Sequence, residues 1–272
     1  MTTTSPGLSV ASSSVGPRAF DGFRKTGLDS SIEDKIAAHC ERFGIDPLAA
    51  VTHFAVLIRR QNLKRFLAHA ELFKLTLDVP GDLAEVGVFR GLGLMTWANL
   101  LESYCVGDRT KMVYGFDNWR GFTELAPEDG AKVGEVQKHV GGFSPGQYKE
   151  ELEAAIAIFD QDRFIPWKPR VKLIEGQVEE TAGRFVAENP GVRFSLVHLD
   201  CDLYKPTKAA IEAFWPRLSR GGVMIFDEYS IKDWPGETQA VDEYFAGIPA
   251  SERPRIRKLA WTNAPAGYVV KE

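Results

Sequence analysis

Asp200, Asp202, Asp227 and Glu228 stand close together in a stretch whose pattern brings them to one place. From Phe194 to Tyr229 the chain reads FSLVHLDCDLYKPTKAAIEAFWPRLSRGGVMIFDEY. An apolar run closes on acids, a helical segment and a Gly-Gly turn follow, and a second apolar run closes on acids. If both runs are parallel strands joined by the helix, all four carboxylates emerge at the same edge of one sheet. Carboxylates gathered that way repel one another unless a cation sits among them. Oxygen donors on adjacent strand ends suit Mg²⁺ or a similar hard cation, which would keep waters or substrate hydroxyls in its remaining positions. The plainer alternative is that the acids cap the next helix or pair with Lys205, Lys208 or Lys232. His198 lies two residues before Asp200 on the same strand face, where a structural hydrogen bond is the expectation.

A second set of residues lies earlier. The turn AEVGVFRGLG, Ala84 to Gly93, follows a short apolar strand and opens a helix. Glycines there let backbone approach a ligand closely and leave helix amides unblocked. Gly87, Gly91 and Gly93 are spaced G-x-x-x-G-x-G, which is not the G-x-G-x-x-G of dinucleotide-binding dehydrogenases, and a merely tight turn is an equal reading. Asp117 ends the next apolar strand. A carboxylate there is placed to accept hydrogen bonds from a ribose diol, whether of NAD or of S-adenosylmethionine. Trp119 beside it could cover an adenine face. His139 has an intrinsic pKa suited to proton removal, which makes it a candidate base, although a lone loop histidine is more often simply exposed.

The elements that must position these groups alternate. Residues 1–18 are rich in Ser, Thr and Gly and read as disordered. A helix beginning at Asp29-Ser30-Ser31 buries Ile32, Ile36, Cys40 and Phe43. A second, capped by Asp46 with Pro47 at its first position, runs towards Leu77 with a break near Gln61-Asn62 and carries Val51, Phe54 and Phe66 on an apolar face. Residues 19–79 thus form a helical extension, a lid or an assembly surface. From residue 80, strands at Leu83–Val88, Met112–Phe116 and Val171–Glu175 join the two already described, with helices between them. Residues 118–145 are punctuated by glycine and proline without periodicity, as in a lid or substrate-facing insertion. Ile256–Trp261 and Tyr268–Val270 read as an antiparallel hairpin. The whole reads as an α/β, doubly wound sheet, which binds ligands outside the carboxyl ends of its strands.

Composition narrows the class. The chain has 272 residues and a formal net charge of -4, with no basic patch to draw a nucleic-acid partner. Three scattered cysteines make neither a disulfide framework nor a zinc site and fit a reducing cytosol. The N-terminus lacks the basic head and apolar core of a secretory signal, and no apolar run approaches the ~20 residues that span a bilayer. A cytoplasmic enzyme is the expectation.

Taken together, EVGVFRGLG, FDNWRGF at 116–122, LIEGQVEET at 173–181, LDCDLYKPTKAAIEAFWPRLSRGG and FDEY resemble the macrocin O-methyltransferase family over roughly residues 80–245. The resemblance implies a class I S-adenosylmethionine-dependent enzyme methylating sugar hydroxyls in natural-product pathways. It implies a seven-stranded sheet with an antiparallel last strand, and a dimer or higher homo-oligomer. It places Glu85 and Gly87 near the methionine part of the cofactor, Asp117 on the ribose and Gly176, Gln177 and Val178 around the adenine. Gly91, Asn118, Trp119 and Asp200 complete the expected cofactor set. Asp200, Asp227 and Glu228 are the implied metal ligands, with Asp227-Glu228 in place of the family's common Asp-Asp pair. Asp200 and His139 are the candidate catalytic bases. A catechol-like phenolic acceptor remains open, and an NAD-dependent sugar-modifying enzyme is disfavoured by the glycine spacing and the lack of a Tyr-x-x-x-Lys pair.

Overall fold

The computed structural model describes residues 27–134 and 136–272. The stretch 1–18, expected to be disordered, lies outside the described residues. The N-terminal extension comprises α1 (Gly27–Phe43), α2 (Pro47–Thr52), α3 (Phe54–Leu57) and α4 (Arg60–Lys74). Asp46 caps α2 by accepting from the Ala49 amide at 2.9 Å, with Pro47 at the first helical position. The single long second helix expected from the sequence is therefore three, broken at His53 and at Ile58-Arg59 rather than at Gln61-Asn62. Helices hold chiefly through a buried apolar face. Here Val51 and Phe54 are exposed, as is Phe43 of α1, so nothing in the described fold packs that face.

Beyond it come β1 (Asp82–Val86), α5 (Leu92–Tyr104), β2 (Val113–Asp117), β3 (Lys132–Val133), β4 (Val136–Gln137) and α6 (Tyr148–Asp162). Then follow β5 (Val171–Glu175), α7 (Val178–Glu188), β6 (Phe194–Leu199), α8 (Tyr204–Phe214), β7 (Leu218–Phe226), α9 (Pro235–Ala246) and β8 (Gly267–Val270). The main sheet runs β5-β2-β1-β6-β7-β8, parallel except for β8, and β3 and β4 form a separate two-stranded ribbon inside the 118–145 insertion. The order reverses between β1 and β6, the position at which ligand crevices open in such sheets. The sheet has six strands among the described residues, not seven. β8 pairs with β7, and the expected hairpin partner Ile256–Trp261 touches β8 only through the Arg257–Tyr268 bridge. That segment turns away as the Thr262 amide bonds back to the Leu259 carbonyl at 3.3 Å, before a ladder can extend.

Strand alternation sorts the core into two faces. Ala84, Val86, Val197, Leu199, Met224 and Phe226 pack on the side of Phe185, Phe214 and Phe245. Leu83, Leu196, Val223 and Ile225 pack on the other side, against Phe73 of α4 and Trp97 and Leu101 of α5. Glu85 and His198 belong to that second face, so two polar side chains are buried among apolar ones and must satisfy each other.

The loops after β1 and β6 nearly touch. Gly87 has φ +87°, and a Cβ added there would lie 1.8 Å from the Asp200 carbonyl oxygen, so only glycine fits. We expect Gly87→Ala to lose more than ~3 kcal/mol of stability in equilibrium denaturant unfolding, because strain and overlap act together. A loss under ~1 kcal/mol would show that the loops do not cross this closely.

Candidate active site

One cavity of about 670 Å³ runs along the carboxyl ends of β1, β2, β5, β6 and β7. Of the residues expected at the cofactor, Glu85, Gly87, Asp117, Asn118, Gly176, Gln177, Val178 and Asp200 all line it. Asp117 Oδ2 accepts from the amides of Val88 and Phe89, each at 2.8 Å, and Oδ1 accepts from the Trp119 amide at 2.7 Å. The strand-end carboxylate therefore pins the glycine turn and its own loop before any ligand arrives. Asn118 donates to Gln177 Oε1 at 3.1 Å, and Gln177 donates to Thr123 Oγ1 at 2.6 Å, which ties the ends of β2 and β5 to the insertion.

Two of the expected residues do other work. Trp119 is buried in the α5 face of the core, its backbone at φ 58°, and does not line the cavity. Its indole nitrogen has no hydrogen-bond partner among the described residues. Its ring is therefore packing, not an adenine cover. Gly91 caps α5 in the left-handed region, and a Cβ there would sit 2.4 Å from Leu152 Cδ1, so it allows α6 to close on the turn without facing the cavity. His139 is exposed and also off the cavity wall. Its segment folds away because Lys138, its neighbour, donates to the carbonyls of Asp129 and Asp233.

A line of charge crosses the sheet beneath the cavity. Glu85 Oε2 accepts from Trp97 Nε1 at 2.8 Å and lies 3.0 Å from His198 Nδ1, while His198 Nε2 lies 3.2 Å from Asp227 Oδ1. Facing a carboxylate at each nitrogen, the ring donates from both and is an imidazolium. Burial opposes that charge, but the bonds to Asp227 and Glu85 override it and push the His198 pKa up to about 10. His69 of α4 stacks on Trp97 with both ring nitrogens buried and unpartnered among the described residues, and burial and its cationic neighbours hold it well below the ordinary histidine value.

Above this line lie the acids picked out in the sequence. Donor oxygens of Asp200, Asp227 and Glu228 fall within 4.8 Å of one another. Sequence reasoning had weighed Lys205, Lys208 and Lys232 as partners, but the cation comes from elsewhere. Arg65 of α4 donates through NH2 to Asp200 Oδ2 at 2.5 Å and through NH1 to Asp227 Oδ2 at 2.7 Å. Burial disfavours ionised Asp227, yet Arg65 and His198 outweigh it and hold this carboxyl well below the usual carboxylate range. For Asp200, burial and the charge of Asp227 win over Arg65, and its pKa is pushed up to about 7.

Asp202 and Glu237 complete the acidic group. Asp202 lines the cavity from a backbone held at φ 62°, and burial followed by the charges of Asp200 and Asp227 raises its pKa well above the usual value. Glu237, in the first turn of α9, accepts from the Glu228 amide at 2.9 Å. Glu228 Oε2 and Glu237 Oε2 are buried without hydrogen-bond partners among the described residues. An orphaned carboxylate oxygen beside two further hard donors fits a small divalent cation. Arg65, Asn62 and Glu237 escaped sequence reasoning because nothing in the spacing of an N-terminal helix or of α9 points to a strand edge far along the chain.

A parallel sheet with an antiparallel last strand, an acid at the end of β2 and a crevice at the strand-order reversal define a methyltransferase of the Rossmann-like class. The family model for macrocin-O-methyltransferase (TylF) matches residues 24–251. A mycinamicin III 3''-O-methyltransferase from Micromonospora griseorubida is 30% identical over 71% of this chain and 70% of its own length. An 8-demethyl-8-(2,3-dimethoxy-alpha-L-rhamnosyl)-tetracenomycin-C 4'-O-methyltransferase from Streptomyces olivaceus is 33% identical, over 67% of this chain and 64% of its own length. Among solved structures, the calicheamicin methyltransferase CalS11 superposes with a TM-score of 0.81 at 28% identity, covering 99% of each chain. The chain belongs to the macrocin-O-methyltransferase family. It is an O-methyltransferase whose methyl donor is S-adenosylmethionine.

Asp117→Ala removes the acceptor for three backbone amides. We expect a stability loss of roughly 2–3 kcal/mol by denaturant unfolding and an S-adenosylhomocysteine affinity lowered at least ~10-fold by calorimetry. Unchanged cofactor affinity would mean that the turn holds its shape without this carboxylate.

Proposed function

We propose that this enzyme methylates a hydroxyl of a sugar, carried on a nucleotide or on a natural-product glycoside, with a divalent cation held by Asp200, Asp227 and Glu228. The observation that carries this reading is the orphaned, buried Glu228 oxygen beside Asp200 and Asp227 at the far end of the cofactor cavity. Named relatives support the substrate class: one is a 4'-O-methyltransferase of a rhamnosyl-tetracenomycin, CalS11 is a TDP-rhamnose 3'-O-methyltransferase, and another acts at the 3'' position of mycinamicin III.

In this reading Glu85, Gly87, Asp117, Gly176, Gln177 and Val178 hold the donor, while Asp200 spans donor and acceptor. The reaction is an in-line attack of the acceptor oxygen on the sulfonium methyl, so alignment of oxygen, carbon and sulfur is the protein's first task. When bound, the cation supplies Lewis acidity that stabilises developing alkoxide. Asp202 takes the hydroxyl proton. It lines the cavity next to Asp200, where the acceptor hydroxyl of this reading would sit. Phe122, Phe143 and Trp234, with ring centroids 5.3–6.0 Å apart, wall the acceptor end in apolar surface, and Asn62 and Arg65 close it from α4.

The N-terminal helices form, in this proposal, a lid over the acceptor and a surface for self-association, since exposed Leu48, Val51, Phe54 and Val56 crowd α2 and α3. No helix among the described residues is long and apolar enough to cross a membrane. We propose a cytoplasmic setting on the cysteine usage alone.

Methyl transfer to a panel of nucleotide-deoxysugars, the matching glycosides and a catechol, each with Mg²⁺ and with chelator, tests the reading. Turnover of a sugar that chelation abolishes is expected; turnover of the catechol alone would replace the substrate class. Asp227→Asn should lower kcat by ~100-fold or more while leaving S-adenosylhomocysteine affinity nearly intact. Asp202→Asn should depress kcat and flatten its acid limb, and His139→Ala should leave both unchanged. A His139→Ala enzyme that loses its rate would return the proton to the insertion.

A further inference from the structure

Arg65 stands where the divalent cation of the preceding proposal would bind. Its two terminal nitrogens hold Asp200 Oδ2 at 2.5 Å and Asp227 Oδ2 at 2.7 Å, one oxygen from each of two assigned ligands. Glu228, the third, is left with Oε2 buried and unpartnered. A guanidinium is planar and donates along one edge, so it can bridge two carboxylates but cannot gather three into a coordination sphere.

The same oxygens cannot serve both cations at once. A guanidinium at hydrogen-bond distance from Asp200 Oδ2 and Asp227 Oδ2 blocks their lone pairs, and its charge repels a divalent ion brought into the same cluster. The groups facing this point are Asp200, Asp202, Asp227, Glu228 and Glu237, with His198 behind Asp227 and Lys138 across the cavity near Asp202. Removing every cation from among five acids would leave buried charges unpaired, which is far costlier than exchanging one cation for another. Arg65 also has room to leave. It lies on the cavity wall beside Asn62, with its side chain 22% exposed.

We propose that Arg65 is a built-in placeholder cation: it neutralises Asp200 and Asp227 when no metal is bound, and a divalent ion must displace it to reach Glu228 and its partners. This rests on the metal reading above. It implies that the arginine weakens metal binding while stabilising the metal-free enzyme, the reverse of what a positioning residue behind the ligands would do.

The test is calorimetric titration of the full-length, chelator-stripped enzyme with Mn²⁺ alone, using wild type, Arg65→Gln, Arg65→Lys and Asp227→Asn. If the guanidinium holds the acids nine-tenths of the time, its removal raises apparent affinity ~10-fold. Arg65→Gln should therefore bind Mn²⁺ ~10-fold tighter than wild type. Without metal its Tm should lie below wild type by several degrees, and Mn²⁺ should raise that Tm by more than it raises the wild-type value. Arg65→Lys keeps a charge without the two-pronged contact and should fall between, so it carries the test if Arg65→Gln does not fold in chelator. Binding by Arg65→Gln or Arg65→Lys that is equal to or weaker than wild type overturns the placeholder role and leaves the metal site standing. Heat no greater than that of Asp227→Asn from every variant overturns the metal reading and this one with it.

Discussion

The site depends on how its negative charge is balanced. Asp200, Asp202, Asp227, Glu228 and Glu237 converge where the carboxyl ends of β6 and β7 meet the start of α9. Buried carboxylates in such numbers are tolerated only beside cations or as neutral acids. The fold supplies cations from two directions. His198 lies beneath Asp227, held between it and Glu85, and Arg65 reaches in from α4 to bridge Asp200 and Asp227. One carboxylate, Asp227, is thereby forced into its ionised form while its neighbours Asp200, Asp202 and Glu228 are pushed towards protonation. The members of the cluster therefore titrate apart, one held as an anion among acids that favour their neutral form.

That balance is possible because the sheet imposes registration. Glu85 on β1 stands opposite His198 on β6, and both face the α4–α5 side of the core. The strand ladder therefore fixes the spacing of the relay without relying on loops, which is where such constellations hold their geometry best. Gly87 lets the β1 loop pass against the Asp200 carbonyl, so the turns after β1 and β6 are in direct contact. Asp129 joins the insertion to the same frame: it accepts from the Ala126 and Tyr204 amides, each at 2.7 Å, and ties the insertion to the start of α8.

Much of this was legible in the chain. Strands and helices from residue 82 onward lie close to where periodicity and turn residues placed them, because parallel strands buried on both faces read as apolar runs ending in the residues that bind. The acids Asp117, Asp200, Asp227 and Glu228 were legible for the same reason, as strand-end carboxylates on the cavity wall. What was not legible came from contacts between distant segments. Arg65 is one of several basic residues on α4, and no local pattern marks the one that reaches across to β6 and β7. Trp119 looked like a ligand cover beside Asp117, but a left-handed turn swings it into the core. The terminal hairpin is reduced to one antiparallel bridge, Arg257–Tyr268, because the turn at Leu259 cuts its first strand short.

The N-terminal extension is the part of the molecule whose role changes most once the charges are counted. On its own it is a set of short helices with exposed apolar side chains, easily dismissed as an appendage. Yet its last helix buries Ala70, Leu72 and Phe73 against the sheet face that carries Glu85 and His198, and the same helix presents Arg65 to the acids above. The apolar contact fixes the helix, and the fixed helix sets where the guanidinium falls. Arg59 at the start of α4 is bonded in turn to Glu33 of α1 at 3.2 Å, so the outer helices are linked to the one that enters the site. The neutralisation of Asp200 and Asp227 by Arg65 is thus tied to the placement of this extension. The charge balance of the acidic cluster and the position of the N-terminal helices are therefore a single coupled property of the fold.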